Sequence, residues 1–167
     1  IPHTRDAHKV GRFFDLGPTG CLVPEVMEQY SVDDAIDYAY YGNIGRRSWG
    51  GANRLGVRSK EAPSSRLEYA AWWNNTVLLS IQIESVQTVT NIGRMLRPGI
   101  THVTFGPNDL QFSMELHPHF PLQTVEECMA CVRDQLAGTG VRIAMGTGTK
   151  PEERQKYRDL GVTIFQS

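Results

Sequence analysis

The chain has 167 residues, of which 40% are hydrophobic and 21% are charged, and this composition fits one globular domain with a substantial core. A formal net charge of −1 gives no basic surface for nucleic acid. No apolar run approaches the ~20 residues of a membrane span, so small soluble partners are favoured.

The first part of the chain alternates helix and strand up to an irregular segment. Residues 6–16 have helical apolar spacing with Asp6 as N-cap, and residues 20–24 predict a short buried strand. Residues 31–41 open with a capping-box-like pair and continue as a helix. Residues 42–63 are rich in glycine and arginine and fit neither regular period, which indicates a loop of functional length.

The second part repeats the strand–helix unit. The predicted helices cover residues 64–74, 85–96, 124–136 and 151–160, and the predicted strands cover residues 76–84, 100–105, 141–145 and 162–165. Residues 1–3 are read as the stub of a sixth strand. Strands that are apolar on both faces and alternate with helices predict a parallel sheet, either doubly wound or closed into a (β/α) barrel.

Polar side chains at the ends of several predicted strands favour the barrel. They are Glu25, Glu84, Asp109 and Thr147. No glycine-rich nucleotide fingerprint follows the first strand, and chemistry spread over many strand ends is typical of a barrel, whereas a doubly wound sheet gathers its ligands at one switch point.

Two of these carboxylates follow neighbouring strands. If the strands of Glu84 and Asp109 are parallel neighbours, both carboxylates lie on one rim, where two hard oxygen donors can hold a divalent cation. The alternative is that each acid caps the helix that follows its strand. Spacing alone leaves the two interpretations balanced.

Other candidate residues have simpler explanations. Cys128 and Cys131 lie on a predicted helix with no second ligand pair, so we expect packing residues in a reducing, cytoplasmic setting. His117 and His119 flank a proline, which favours a surface turn over a metal pair. Arg46 and Arg47 could bind a substrate carboxylate, although for Arg47 a role in holding the loop or a subunit contact is favoured.

Four ordered motifs then carry a family resemblance. They are residues 22–26 (Leu-Val-Pro-Glu-Val), 41–50 (Tyr-Gly-Asn-Ile-Gly-Arg-Arg-Ser-Trp-Gly), 81–84 (Ile-Gln-Ile-Glu) and 105–110 (Phe-Gly-Pro-Asn-Asp-Leu). In this order and spacing the chain resembles the HpcH/HpaI class of metal-dependent pyruvate aldolases, which includes 2-dehydro-3-deoxyglucarate aldolase and 4-hydroxy-2-oxoheptanedioate aldolase.

The resemblance implies an α/β fold, a (β/α)8 TIM barrel, with Mg²⁺, Mn²⁺ or Co²⁺ held by Glu84 and Asp109. Pyruvate or its enolate would chelate the metal, and the turn of Gly106, Pro107, Asn108 and Asp109 would hold the pyruvate carboxylate. Pro107 has no N–H, so Asn108 and Asp109 are the expected donors. Gln82 would line the pocket because it shares the strand face of Glu84. Thr147 is expected to approach the substrate from the same rim.

The implied activity is that of a class II aldolase, a lyase that cleaves or forms 4-hydroxy-2-oxo acids from a 2-oxo acid and an aldehyde. No lysine lies on a predicted strand, which disfavours the lysine-dependent route. Within the family-derived assignment, Gln82 is a catalytic candidate and Arg47 a weaker one. The resemblance also implies a homo-oligomer, a hexamer or trimer of dimers.

Departures from the family pattern set alternatives. The family's enolate-stabilising arginine aligns with Ile1, and its His/Asp pair would precede residue 1. We therefore expect residues 1–167 to be one barrel domain that spans units three to eight, lacks the first strands and the last helix, and was cut from a longer chain. The alternatives are an acyl lyase like the citrate lyase β subunit or malyl-CoA lyase, and a non-catalytic partial barrel that keeps the metal site.

Overall fold

Five parallel strands form one sheet in which the order along the chain is also the order in space. The strands are β1 (Gly20–Val23), β2 (Leu78–Ile83), β3 (His102–Phe105), β4 (Arg142–Met145) and β5 (Val162–Phe165). This computed structural model describes residues 1–50, 65–146 and 150–166. A doubly wound sheet reverses its strand order, whereas a (β/α) barrel does not. The fold is therefore an α/β fold with the strand order of a TIM barrel, and β1 and β5 are the two edges of the described sheet.

Helices connect successive strands. They are α1 (Val10–Asp15), α2 (Gln29–Ala39), α3 (Arg66–Thr76), α4 (Val86–Met95), α5 (Pro107–Leu116), α6 (Val125–Leu136) and α7 (Arg154–Asp159), with 3-10 turns at Thr4–Lys9 and Pro151–Glu153. Ser65 and Thr124 form capping boxes at the starts of α3 and α6, and Ser85 caps α4. Connections between neighbouring parallel strands are generally right-handed, and in a sheet whose strand order is not reversed such connections carry their helices on one face.

Four local predictions were wrong. The expected N-cap Asp6 lies inside the 3-10 turn Thr4–Lys9, whose N-cap is His3. Helix α2 begins at Gln29 with Glu28 as its N-cap, so the expected cap Ser31 lies inside the helix and is buried. Residues 106–109 are not an isolated turn, because Gly106 is the N-cap of α5 and Pro107 fills its first position. Residues 1–3 form no strand, although the Ile1 nitrogen donates to Leu22 O at 2.8 Å.

The two faces of the central strands differ in chemistry. Leu79, Ile81 and Ile83 are fully buried on the face that the helices cover. Ser80 and Gln82 alternate with them on the other face, where Ser80 Oγ lies 2.9 Å from Thr104 Oγ1 of β3. The helix-covered face therefore supplies the core, and the opposite face carries polar groups toward the carboxyl ends of the strands.

None of the helices among the described residues has the length and apolar character that a membrane span requires.

Candidate active site at the carboxyl edge of the sheet

The ends of β2 and β3 bring the two predicted carboxylates to one place. Ile83 pairs in register with Phe105, and Gly106 N–H donates to Ile83 O at 3.0 Å. Glu84 follows Ile83 directly, and Asp109 lies in the first turn of α5, which Gly106 caps. Glu84 therefore faces the start of the helix that carries Asp109.

Gly106 is packed closely against two side chains at the end of β2. A Cβ at this position would lie 2.5 Å from Gln82 Nε2, 3.2 Å from Glu84 Cβ and 3.3 Å from Glu84 Oε2. Only glycine allows this close approach. The Gln82 amide and one Glu84 oxygen are therefore held together beside the N-cap of α5.

We predict that Gly106→Ala disturbs the arrangement of Gln82 and Glu84 beside the start of α5. Because the new methyl group would overlap the Gln82 amide, Gln82 and Glu84 must move, and Mn²⁺ affinity should fall by about tenfold or more. Isothermal titration of Mn²⁺ measures the effect. Gly20→Ala is the matched control. Gly20 is the first residue of β1, at the amino end of the strand, and a Cβ there would lie 3.8 Å or more from its nearest neighbours. Equal Mn²⁺ affinities for the two variants would contradict the prediction.

The main chain of Glu25 holds one oxygen of Glu84. Glu25 N–H donates to Glu84 Oε1 from the loop after β1. To do so, Glu25 adopts φ 53°, the only positive φ of a non-glycine residue in the described part of the chain. A left-handed glutamate is uncommon and points to a functional constraint.

The electrostatic environment of Glu84 raises the pKa of its carboxyl group. Partial burial raises its pKa, the hydrogen bond from Glu25 N–H opposes the rise, and the negative charges of Asp109 and Glu25 add to it. Two carboxylates that repel each other at the carboxyl edge of a parallel sheet are stabilised when a cation lies between them.

The chemistry of the two donors fits a divalent metal ion, because Glu84 and Asp109 supply hard oxygen atoms at the ends of neighbouring strands. Within residues 1–50, 65–146 and 150–166, no group of three or more His, Cys, Asp or Glu side chains is arranged to hold a metal ion. A divalent ion held by these two carboxylates would need further oxygen ligands from outside the pair.

The start of α5 offers backbone donors to an anion. The first intrahelical hydrogen bond runs from Leu110 N–H to Gly106 O, so the N–H groups of Asn108 and Asp109 have no acceptor within the helix. Pro107 has no N–H and a φ suited to this position. A ten-residue helix that begins beside Glu84 can hold a carboxylate at its N-terminus.

Arg47 is not brought to this edge. Its Nη2 donates to Asp15 Oδ1 at 2.8 Å, and its guanidinium carbon lies 4.2 Å from the ring centroid of Trp73. Asp15 and Trp73 each precede a strand by five residues, which places Arg47 at the amino edge of the sheet. A catalytic role for Arg47 stays a prediction, and the observed contacts are those of a residue that holds the segment after α2.

The other residues considered from the sequence are a threonine, two cysteines and two histidines. Thr147 lies outside the described residues. Cys128 is buried, with Sγ 3.7 Å from Met114 Sδ, and burial raises its pKa to about 11. His117 and His119 are exposed after α5, where His117 Nδ1 contacts Ser113 O.

Sequence reasoning missed the contribution of the loop after β1. Glu25 was noticed as a polar residue at a strand end, but its role here depends on a backbone conformation that the pair Pro24 and Glu25 does not reveal. His3 contacts the Glu25 carboxylate, with 2.9 Å between Nε2 and Oε2. No local pattern indicates that contact, because the two residues are brought together only when residues 1–3 lie beside β1.

Comparison with known proteins agrees with this architecture. The family model described as HpcH/HpaI aldolase/citrate lyase matches residues 3–165. Among solved structures, the chain is similar to an HpcH/HpaI aldolase from Desulfitobacterium hafniense DCB-2, with 25% identity and a TM-score of 0.82 over 99% of this chain and 62% of that one. No curated protein sequence matches the chain.

Two further structures share the fold. Macrophomate synthase has 24% identity and a TM-score of 0.77, over 98% of this chain and 57% of that one. The citrate synthase SbnG has 18% identity and a TM-score of 0.75, over 97% of this chain and 60% of that one. The chain thus spans 57 to 62% of the length of these three structures.

Proposed function

The chain belongs to the HpcH/HpaI aldolase/citrate lyase family, and on that premise we propose that it is a metal-dependent carbon–carbon lyase of the class II aldolase type. Its substrates in this proposal are 4-hydroxy-2-oxo acids, which it cleaves to, or forms from, pyruvate or a similar 2-oxo acid and an aldehyde. Glu84 and Asp109 bind Mg²⁺, Mn²⁺ or Co²⁺.

The observation that supports the proposal is the proximity of Gln82, Glu84 and Asp109 at the carboxyl ends of β2 and β3. Gln82 Nε2 and Glu84 Oε2 both lie close to Gly106, and Asp109 is close enough for its charge to raise the pKa of Glu84. Two carboxylates and an amide gathered at the ends of neighbouring strands suit a metal ion and a small 2-oxo acid together.

Each residue then has a role in handling pyruvate. A bound divalent cation supplies Lewis-acid stabilisation of negative charge on the keto oxygen. The N–H groups of Asn108 and Asp109 bind the pyruvate carboxylate at the start of α5 and fix its orientation. The Gln82 amide donates to a substrate oxygen on the face that Glu84 shares, so charge that develops there is met by a preorganised dipole.

The loop after β1 supplies space for the second reactant. A cavity of about 350 Å³ is lined by His3, Arg5, Glu25 and Tyr30, among others. Because Glu25 also donates to Glu84, this cavity adjoins the proposed metal site. Its size is sufficient for a small aldehyde, and its wall offers charged and hydroxyl groups.

The structural likeness to a citrate synthase and the citrate lyase part of the family description support a second candidate. In it, the same carboxylates act on an acyl donor such as a coenzyme A thioester, as in the citrate lyase β subunit or malyl-CoA lyase. Turnover of thioesters without turnover of free 2-oxo acids would favour this candidate.

The proposal extends to the whole protein. In this proposal the described strands belong to a (β/α)8 barrel of which residues 1–167, as one domain, contain about units three to eight. A homo-oligomer, a hexamer or trimer of dimers, is the proposed assembly, as the family resemblance implies. The proposed setting is cytoplasmic, with small-molecule partners.

The test is pyruvate release by the full protein that carries this chain. We expect turnover of a 4-hydroxy-2-oxo acid with Mg²⁺ or Mn²⁺, measured through lactate dehydrogenase and NADH. Chelation with EDTA should lower the rate roughly a hundredfold or more, since a Lewis acid contributes several kcal/mol to the barrier. Mn²⁺ should then restore it. Turnover that EDTA does not change would contradict the metal-dependent route.

A further inference from the structure

The contact between His3 and Glu25 has a consequence for the metal site. We propose that His3 is a positioning residue, which acts through Glu25 to orient Glu84 for metal binding. This inference rests on the proposed function, because it concerns how the chain prepares the carboxylate that receives the cation. His3 itself makes no contact with the cation in this proposal.

The ring of His3 is held at both nitrogens. Nδ1 accepts a hydrogen bond from Arg5 N–H at 3.0 Å, so the ring proton lies on Nε2. Nε2 is 2.9 Å from Glu25 Oε2 and donates to it. The ring thus joins the 3-10 turn at Thr4–Lys9 to the side chain of Glu25.

The segment that carries His3 is fixed against the sheet. The Ile1 nitrogen donates to Leu22 O of β1 at 2.8 Å, which places residues 1–3 beside the strand that leads to Glu25. The 3-10 turn that follows is anchored by Ala7 and Val10, both buried. His3 is therefore presented to Glu25 from a supported position.

Glu25 needs such support. A φ of 53° is left-handed, a conformation that residues with a Cβ rarely adopt and that persists only when surrounding contacts maintain it. In this conformation the Glu25 N–H faces Glu84 Oε1. The contact from His3 to the Glu25 carboxylate holds the Glu25 side chain in the orientation that goes with this backbone conformation.

The two oxygens of Glu84 are consequently assigned different tasks. Oε1 accepts from Glu25 N–H, and Oε2 lies beside Gly106, the N-cap of the helix that carries Asp109. If Glu25 loses this conformation, Glu84 can rotate and Oε2 no longer lies beside Gly106. Loss of a supporting contact to a metal ligand typically lowers metal affinity by about 10- to 100-fold.

Two substitutions at His3 separate positioning from simple folding. In His3→Gln the amide nitrogen reaches the place of Nε2 and keeps the contact with Glu25. In His3→Asn the side-chain oxygen takes the place of Nδ1 and keeps the cap on Arg5 N–H, but the side chain is too short to reach Glu25. A structural role in the 3-10 turn would therefore favour the asparagine variant, and a positioning role the glutamine variant.

We expect Mn²⁺ affinity, measured by titration calorimetry or by the electron paramagnetic resonance of free Mn²⁺, to fall about tenfold in His3→Asn. His3→Gln should stay within about threefold of the unmodified chain. In a Glu25→Gly background, where glycine takes a left-handed φ without a side-chain partner, His3→Asn should change the affinity no further.

Three results would overturn the inference. They are unchanged affinity in His3→Asn, equal losses in His3→Asn and His3→Gln, and a full loss on His3→Asn in the Glu25→Gly background. If the unmodified protein binds no Mn²⁺, the proposed function fails and this inference fails with it. If the unmodified protein binds Mn²⁺ and only the His3 pattern is absent, the proposed function stands and this inference alone is wrong.

Discussion

Glu84→Gln is expected to weaken Mn²⁺ binding at least about a hundredfold and to remove metal-dependent turnover. The substitution keeps the shape of the side chain and an oxygen that can accept from Glu25 N–H, but it removes one of the two neighbouring carboxylates proposed to bind the metal. Loss of a charged ligand from a two-carboxylate site leaves Asp109 as its one protein anion. Asp109→Asn should have a comparable effect for the same reason.

Without metal, Glu84→Gln should be at least as stable as the unmodified chain, although it binds metal more weakly. The folded-state pKa of Glu84 lies above its usual value, chiefly because of burial. A raised carboxyl pKa means that the folded protein favours the neutral form of Glu84 more than the unfolded chain does. The stability that comes from this preference is fully present below the unfolded pKa and is lost as the pH rises through the folded pKa. At pH 7 the ionised Glu84 therefore costs stability that glutamine does not cost. In EDTA, the melting temperature of Glu84→Gln should equal or exceed that of the unmodified chain.

Mn²⁺ should reverse the order of these two melting temperatures. A cation present at a hundred times its dissociation constant stabilises the folded state by about 2.7 kcal/mol, which is roughly 5–10 °C in the melting temperature of a domain of this size. The unmodified chain should show this rise with Mn²⁺, and Glu84→Gln should not. Glu115→Gln, an exposed position on α5, is the matched control and should behave like the unmodified chain. Mn²⁺ affinity that stays within threefold in Glu84→Gln would refute the assignment of Glu84.

The strands were predictable because a parallel sheet leaves a strong pattern. Runs such as residues 78–83 are apolar and β-branched, and four of the five strands start or end within two residues of the prediction while β5 matches it. Helix starts were predictable where serine or threonine lies three residues before a glutamate, as at Ser65 and Thr124. They were misjudged at α2, whose N-cap Glu28 makes no side-chain cap and leaves no such signal.

The candidate site was predictable in its residues and less so in its geometry. Strand-end position alone places Glu84 and the start of α5 at one edge once the strands are parallel neighbours. The helical start at Pro107 was mistaken for a turn, although proline at the first helical position followed by an acid is a helix-start signal. The left-handed Glu25 and its partner His3 depend on tertiary contacts over 22 residues, which no local pattern encodes.

At the amino edge of the sheet, an aromatic cluster surrounds the buried guanidinium of Arg47. The guanidinium carbon lies 4.2 Å from the ring centroid of Trp73, 5.2 Å from that of Tyr41 and 5.5 Å from that of Phe14. Its Nε and Nη1 have no hydrogen-bond partner among the described residues, so the ring faces and Asp15 are what compensate its charge. Trp73 contacts both the guanidinium and another ring of the cluster, because its ring also packs edge-on against Phe14.

Trp73→Ala is therefore expected to be the most destabilising single change. Trp73 is 0% exposed and its Nε1 donates to Ala39 O at 2.9 Å, so the substitution leaves a cavity, an unpaired carbonyl and an exposed face of the Arg47 guanidinium. We expect a loss of about 3–5 kcal/mol in the free energy of unfolding, or roughly 6–20 °C in melting temperature.

Two matched variants and one second measurement test the origin of that loss. Trp72→Ala removes the same side chain from the neighbouring, partly buried position and should cost clearly less. Trp73→Phe keeps a ring beneath Arg47 but removes the donor to Ala39 O, so its cost should be about 1–3 kcal/mol. Below its melting temperature, Trp73→Ala should bind Mn²⁺ as the unmodified chain does, because the cluster and the carboxylate pair lie at opposite edges of the sheet. If instead Trp72→Ala proves as costly as Trp73→Ala, or Mn²⁺ binding is lost in the folded Trp73→Ala protein, the cluster is not an independent stabilising unit.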